Sequence, residues 1–220
     1  MESAVHIIPQ LTLQHFREME ALELQFYDAD FITPPEEAWS WYARHPHSAV
    51  AAAINGKLVG FVNLFPVKPT VYQALREGRF NDHFMVMDDV ADITDTPLHM
   101  FLSCVVVAQE ARPLGLTRKL LQAAAQPYAN LPCVGVVTDN VTADGCRFSE
   151  RYGFTRICRS NHDSWVYEQS WEPFLPLSTT TRVSPQEFHP PAGEISISAL
   201  KGRQCAGGFH VFLRPDAAEF

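Results

Sequence analysis

The 220-residue chain predicts an α/β fold: a mixed central sheet with helices on both faces, followed by a small C-terminal β-hairpin extension. Three observations carry this. Asn55-Gly56 separates two apolar runs, residues 48–54 and 57–65, and Asn-Gly is the favoured type I′ hairpin turn. Two more strand-length apolar runs, 100–107 and 133–138, are each followed by a stretch with helical spacing. The order of elements, ββα and then αβ about a central strand, places helices on both faces.

Taken in order, His6-Ile7-Ile8 forms a short first strand. Residues 13–26 carry Leu13, Phe16, Met19, Leu22 and Leu24 at helical spacing. Pro34-Pro35-Glu36-Glu37 starts a second helix that runs to Arg44, with proline in the first turn and acidic groups at the positive dipole end. After the hairpin, residues 66–98 read as an insertion, because a hairpin connection needs only a few residues. Within it, 70–79 is helical and ends near Gly78, while 81–97 holds Asp82, Asp88, Asp89, Asp92 and Asp95 with no Lys or Arg. The central strand 100–107 leads into a helix over 115–128 with Leu116, Leu120 and Leu121. The strand 133–138 closes on Asp139-Asn140, a helix follows over 143–152 with Gly153 to cap it, and 154–158 and 164–168 form a last strand pair. Beyond Trp171, prolines 173, 176, 185, 190 and 191 among Ser and Thr suit an extended connector, and 195–200 with 209–213 alternate as a hairpin. The organisation expected is a domain over 1–171 and an extension over 172–220.

A hydrophobic share of 46% and a charged share of 19% describe an ordinary globular chain. No apolar run approaches the roughly 20 residues that cross a bilayer, and Met1-Glu2-Ser3-Ala4-Val5-His6 lacks the form of a secretory signal. The five cysteines are odd in number and show no Cys-x-x-Cys spacing; Cys104 and Cys133 fall inside apolar runs. The expectation is a reduced, cytoplasmic setting with neither zinc nor disulfides and no membrane. A net charge of -8 argues against nucleic acid as a partner and favours a cationic one.

The segment from Val107 to Leu121, Val-Ala-Gln-Glu-Ala-Arg-Pro-Leu-Gly-Leu-Thr-Arg-Lys-Leu-Leu, is the most informative. Free backbone N–H groups at a helix start, with its positive dipole end, make an anion site. The segment resembles the pyrophosphate loop of the GCN5-related N-acetyltransferase (GNAT) family, where Arg/Gln-x-x-Gly-x-Gly/Ala receives coenzyme A; Val107, Arg112, Gly115, Leu120 and Leu121 match its longer pattern. Asn140 stands where the family places an Asn near the pantetheine arm, and Asn140, Ala143, Phe148 and Tyr152-Gly153-Phe154 match its Asn-x-x-Ala and Gly-Phe elements. The likeness spans about residues 5–170.

The resemblance implies a mostly antiparallel sheet, acetyl-CoA as co-substrate without a metal, and acetyl transfer to a primary amine, either a small cationic amine or a lysine side chain. It assigns Arg112, Leu114, Gly115, Leu116, Thr117, Arg118 and Asn140 to the cofactor, and the backbone of Val105 and Val107 to the acyl carbonyl. Two positions depart from the pattern. Pro113 replaces a Gly and has no N–H for a phosphate. A hydrogen bond to a charged group contributes about 1.5–3 kcal/mol, so affinity falls by a decade or more. Thr117 replaces a Gly or Ala.

Direct attack needs a base. Counting back from Arg112, His99 falls where histone-type members carry a catalytic carboxylate, and an imidazole titrates near neutrality. Strand alternation puts His99, Phe101 and Ser103 on one face and Cys104 on the other, so Ser103 holds water in the same cavity. Asp82, His83, Asp88 and Asp89 compete from the insertion. Ser149 occupies the position where the family often has a tyrosine acid. Tyr27, Asp28 and Phe31, in an aromatic and acidic loop, line the acceptor side. Pro113 and Ser149 also suit an alternative, a non-catalytic acyl-CoA-binding module of the same fold. Residues 172–220 offer an arm for a homodimer.

Overall fold

The computed structural model describes residues 5–29 and 32–174; the hairpin expected at 195–200 and 209–213 lies outside them. Among the described residues, seven strands form one sheet: β1 (Val5–Ile7), β2 (Ala49–Ile54), β3 (Lys57–Val67), β4 (Leu98–Val107), β5 (Cys133–Asn140), β6 (Thr155–Arg159) and β7 (Trp165–Ser170). Their spatial order is β1-β2-β3-β4-β5-β7-β6, antiparallel throughout except for the central β4–β5 pair. The helices are α1 (Leu13–Glu23), α2 (Pro35–Arg44), α3 (Pro69–Arg76), α4 (Leu116–Ala125), α5 (Ala143–Arg151) and α6 (Trp171–Phe174). None of the described helices is long and apolar enough to cross a membrane.

The hairpin turn forms as the sequence requires, with Asn55 at φ 51 and Gly56 at φ 80. β3 and β4 are longer than the pattern suggested. Pro66 and Val67 continue β3 opposite Met100 and His99, so the insertion begins at Lys68 rather than at residue 66. Side-chain alternation on β3 sorts the layers. Phe65 and Val67 pack with Val71, Tyr72 and Leu75 of α3, whereas Gly60 on the opposite face abuts Leu120 of α4. α1 ends at Glu23 instead of near Phe26, after burying Phe16, Met19 and Leu22. The expected connector also starts late: Trp171 and Phe174 stack with centroids 5.4 Å apart, and Phe174 is fully buried beside Phe154.

Gly78 ties the insertion to the β6–β7 turn. It lies at φ 67, its N–H donates to Leu75 O, and its carbonyl accepts from Asn161 N at 2.7 Å. A Cβ there would sit 2.6 Å from the Arg159 carbonyl oxygen, against backbone that has no room to give. Gly78→Ala combines that clash with a left-handed conformation, and strain of this kind costs about 1–3 kcal/mol. Thermal melting should show it, as a Tm several degrees lower.

Candidate active site

The two central parallel strands part company. β4 pairs with β5 only from Leu98↔Cys133 to Phe101↔Val137, yet β4 runs on to Val107 beside β3 and β5 runs on to Asn140 beside β7. A wedge opens between them. Burial records it: Phe101, Leu102, Val106 and Val107 are buried, while Ser103, Cys104 and Val105 between them are half-exposed in the middle of a central strand. Ala108 N–H donates to Val59 O at 2.8 Å, toward β3. Strand alternation then aims the N–H groups of Val107 and Val105 at the other edge, into the wedge.

A bulge changes which side chains face this opening. Asn63 pairs with Cys104 and Leu64 with Leu102, so Ser103 is the extra residue. Alternation is reset there, and Cys104 falls on the same sheet face as His99 and Phe101, not on the opposite face as strict periodicity implied. Its thiol donates to Glu23 Oε1 at 3.4 Å. Glu23, in the last turn of α1, is half-buried, and desolvation lifts its carboxyl to about 7. Burial also raises the Cys104 thiol, and the Glu23 carboxylate raises it further. Tyr27 lies alongside; burial, then Cys104 and Glu23, push its phenol up.

A second acidic group faces the same space. Asp82 comes from a short 3-10 turn in the insertion, and burial followed by the nearby Asp139 lifts its carboxyl to about 6. Asp139, at the open end of β5, is held on both oxygens. Ser164 Oγ donates to Oδ1, and His162 Nε2 lies 2.7 Å from Oδ2. That bond is the main reason the His162 imidazole is raised. A surface pocket of about 420 Å³ adjoins this group, lined by Arg79, Phe80, Asn81, Phe84, Asn161 and His162.

At the far end, residues 109–114 make a 3-10 turn that contains Pro113, and Gly115 at φ 65 opens α4. No side chain caps that helix start, and a Cβ built on Gly115 would meet nothing within 4 Å. Pro113, Leu114 and Gly115 are exposed, Thr117 is half-buried and Leu116 is fully buried beneath them. Arg112 spans the mouth: its Nε donates to Val107 O at 3.4 Å, its Nη1 is 3.7 Å from Asp144 Oδ2, and its guanidinium lies 5.4 Å from the Phe26 ring centroid.

The structure gathers some of the expected site residues and separates others. Arg112, Leu114, Gly115, Leu116, Thr117 and Arg118 share the loop and the first turn of α4, one end of the wedge. Ser103, Val105 and Val107 line its β4 edge, and Tyr27 stands beside Cys104. Asp28 is exposed, and Phe31 lies outside the described residues. His99 stands below the opening, in register with Val67 and Gly135, its ring 4.9 Å from that of Tyr72. Burial lowers its imidazole, and buried Phe101 stands between it and Cys104 on the same face. Ser149 is fully buried; its Oγ accepts from Asn140 Nδ2 at 2.7 Å, which fastens α5 to the end of β5. Glu23, Asp139 and His162 escaped the sequence reading. One signal existed for Glu23: it follows Met19 by one turn and Phe16 by two, placing a carboxylate on the buried stripe of α1.

The sheet thus splays beside the start of α4, with titratable groups on one side of the gap. Residues 16–154 match the acetyltransferase (GNAT) family, and the chain belongs to it. Among curated proteins no sequence matches. Solved structures agree in fold. The loading GNATL domain of CurA from Lyngbya majuscula superposes with a TM-score of 0.57 at 12% identity, covering 76% of this chain and 98% of that one. Naa50 from Arabidopsis thaliana, in complex with the bisubstrate analogue CoA-Ac-MVNAL, gives 0.53 at 12% identity, covering 76% and 99%. The PaiA N-acetyltransferase from Thermoplasma acidophilum, in complex with coenzyme A, gives 0.52 at 11%, again covering 76% and 99%.

Proposed function

We propose that the protein is an acetyl-CoA-dependent N-acetyltransferase acting on a primary amine by direct attack, with Glu23 as the base in place of His99. One observation carries this reading: the β4–β5 wedge exposes Cys104 mid-strand, and a carboxyl with a pKa of about 7 stands 3.4 Å from its sulfur. A base poised at neutrality is what proton removal from an ammonium at neutral pH requires.

The residues suit an acyl donor with a diphosphate arm. The uncapped start of α4 and the cationic Arg112 sit at one end of the wedge, where amide donors and positive charge receive an anion. The N–H groups of Val105 and Val107 meet the charge that grows on the acyl oxygen. Glu23 takes a proton from the ammonium, the amine nitrogen bonds to the carbonyl carbon, and the carbon–sulfur bond breaks. The sum is ammonium plus thioester giving amide, free thiol and one proton. Ser149 serves as the structural partner of Asn140, and solvent protonates the thiolate. The acceptor class that fits is a small cationic amine or a lysine side chain, because Glu23, Asp82 and Asp139 surround its side of the wedge.

Calorimetric titration with acetyl-CoA is expected to give saturable binding below millimolar ligand, and a panel of amines to release free thiol. No saturable binding refutes the assignment. Binding without thiol release favours the non-catalytic module, the reading to which Pro113, with no amide proton for a phosphate, lends weight.

A further inference from the structure

The carbonyl of Val107 points into the wedge. Ala108 N–H bonds Val59 O on the β3 side, so the N–H and C=O of Val107 share the opposite, unpaired edge. Arg112 turns back onto that edge, its Nε donating to Val107 O at 3.4 Å. Two further elements hold the same guanidinium. Nη1 lies 3.7 Å from Asp144 Oδ2 in the first turn of α5, just past the end of β5. The Phe26 ring, from the turn after α1, has its centroid 5.4 Å from the guanidinium carbon. Asp144 is also near enough to raise the Tyr27 phenol electrostatically, which sets its carboxylate toward the wedge. One side chain thus joins β4, α5 and the end of α1, the three elements that border the mouth.

These tethers are easily undone. The Arg112 and Asp144 side chains are 49% and 61% exposed, and exposed ion pairs contribute little. Asp144 also has a second cation. Arg147 Nη2 donates to its other oxygen, Oδ1, so the carboxylate stays paired when Arg112 leaves.

We propose that Arg112 is a clasp that closes the wedge mouth in the free chain, with Asp144 as its catch, and that a diphosphate opens it by drawing the guanidinium off Asp144 and Val107. Phosphate oxygens receive a guanidinium in a bidentate fork, a better partner than one exposed carboxylate at 3.7 Å. A thioester on bare pantetheine has no group to take the arginine and meets a closed mouth. Asp144 is therefore a specificity-determining residue, which makes the site answer to donors that carry a diphosphate. The clasp rests on the N-acetyltransferase reading given above, since it concerns how that site admits its acyl donor.

The test is calorimetric titration of the full chain with coenzyme A and with pantetheine, the same thiol-bearing arm without diphosphate or nucleotide. Asp144→Asn removes the catch and is expected to tighten both ligands about two- to fivefold, the scale of one exposed ion pair. Pantetheine is uncharged, so relief of repulsion does not account for its gain. Arg112→Gln is expected to move the two ligands in opposite directions. Coenzyme A weakens about tenfold or more, the loss of a hydrogen bond to a charged group, while pantetheine tightens. Pantetheine affinity that stays level or falls in one variant or the other overturns the clasp. Should pantetheine bind too weakly to follow, Phe26→Leu decides with coenzyme A, because it removes a tether without altering charge. Affinity is then expected to rise about twofold or more, and a level or lower value overturns the clasp. Failure of coenzyme A to bind the unaltered chain refutes the enzyme reading instead, so the two failures are distinct.

Discussion

With Glu23 as the proposed base, Glu23→Gln is expected to lower kcat for acetyl transfer by about 10²–10⁴-fold, the usual contribution of a positioned general base. The replacement keeps the shape of the side chain and an oxygen to accept the Cys104 thiol, so it removes proton uptake and little else. The pH profile sharpens the test. With its carboxyl at about 7, wild-type Glu23 is half ionised at neutrality, and the rate rises through that pH before levelling off. Glu23→Gln flattens that limb. His99→Gln, by contrast, leaves it in place, because burial lowers the His99 imidazole and Phe101 separates it from Cys104. A profile that loses its rising limb in His99→Gln and keeps it in Glu23→Gln reverses the assignment.

The same residue links activity to stability, with a definite sign. Glu23 is raised in the folded chain above its ordinary 4.5, so the native state holds a proton that the unfolded chain releases between pH 4.5 and about 7. Stability from this group is therefore complete below pH 4.5 and is lost as pH rises through 7. Asp82, raised from 3.8 to about 6, acts in the same direction over a lower range. Glu23→Gln should thus raise Tm at pH 8 while lowering kcat. A merely structural carboxylate that supports the fold at pH 8 gives a lower Tm on substitution.

What could be read from the sequence follows from range of interaction. The Asn55-Gly56 turn, the apolar stripes of α1 and α4, and the loop around Arg112 and Gly115 are local, so spacing alone reports them. The family pattern added a mostly antiparallel sheet, and the parallel β4–β5 pair appears only in the folded chain. Two things were out of reach. The bulge at Ser103 arises from register between β3 and β4, and one inserted residue moves every later side chain to the other face. Alternation counted from His99 therefore misplaced Cys104. The acidic cluster was hidden for a different reason. Glu23, Asp82 and Asp139 belong to a helix end, an insertion and a strand end, and only the folded chain brings them to one gap. Desolvation then gives two of them their chemistry, and burial of that kind leaves no local mark beyond a carboxylate on an apolar stripe.

Leu120→Ala should cost about 2–5 kcal/mol, as deletion of a fully buried leucine side chain commonly does. At about 2–4 °C per kcal/mol for a chain of this size, Tm falls by roughly 10 °C. The magnitude follows from what Leu120 touches. Gly60 on β3 has no side chain, and a Cβ there would lie 3.3 Å from Leu120 Cδ1, 3.2 Å from Val107 Cγ2 and 2.9 Å from the Val106 carbonyl oxygen. The missing side chain lets α4 press onto the strand pair that carries the wedge, and Leu120 fills the contact. Its loss leaves a cavity at the point where the start of α4 is fixed relative to Val107. Acetyl-CoA affinity should fall in the same variant, because Gly115 and the amides of α4 are held in place from below by this contact. Leu114→Ala makes the contrast: Leu114 is 49% exposed on the loop itself, and its replacement should shift stability by about 0.5 kcal/mol or less. A Tm unchanged in Leu120→Ala and lowered in Leu114→Ala would place the anchor of the diphosphate loop in the loop's own contacts, not in the helix packed beneath it.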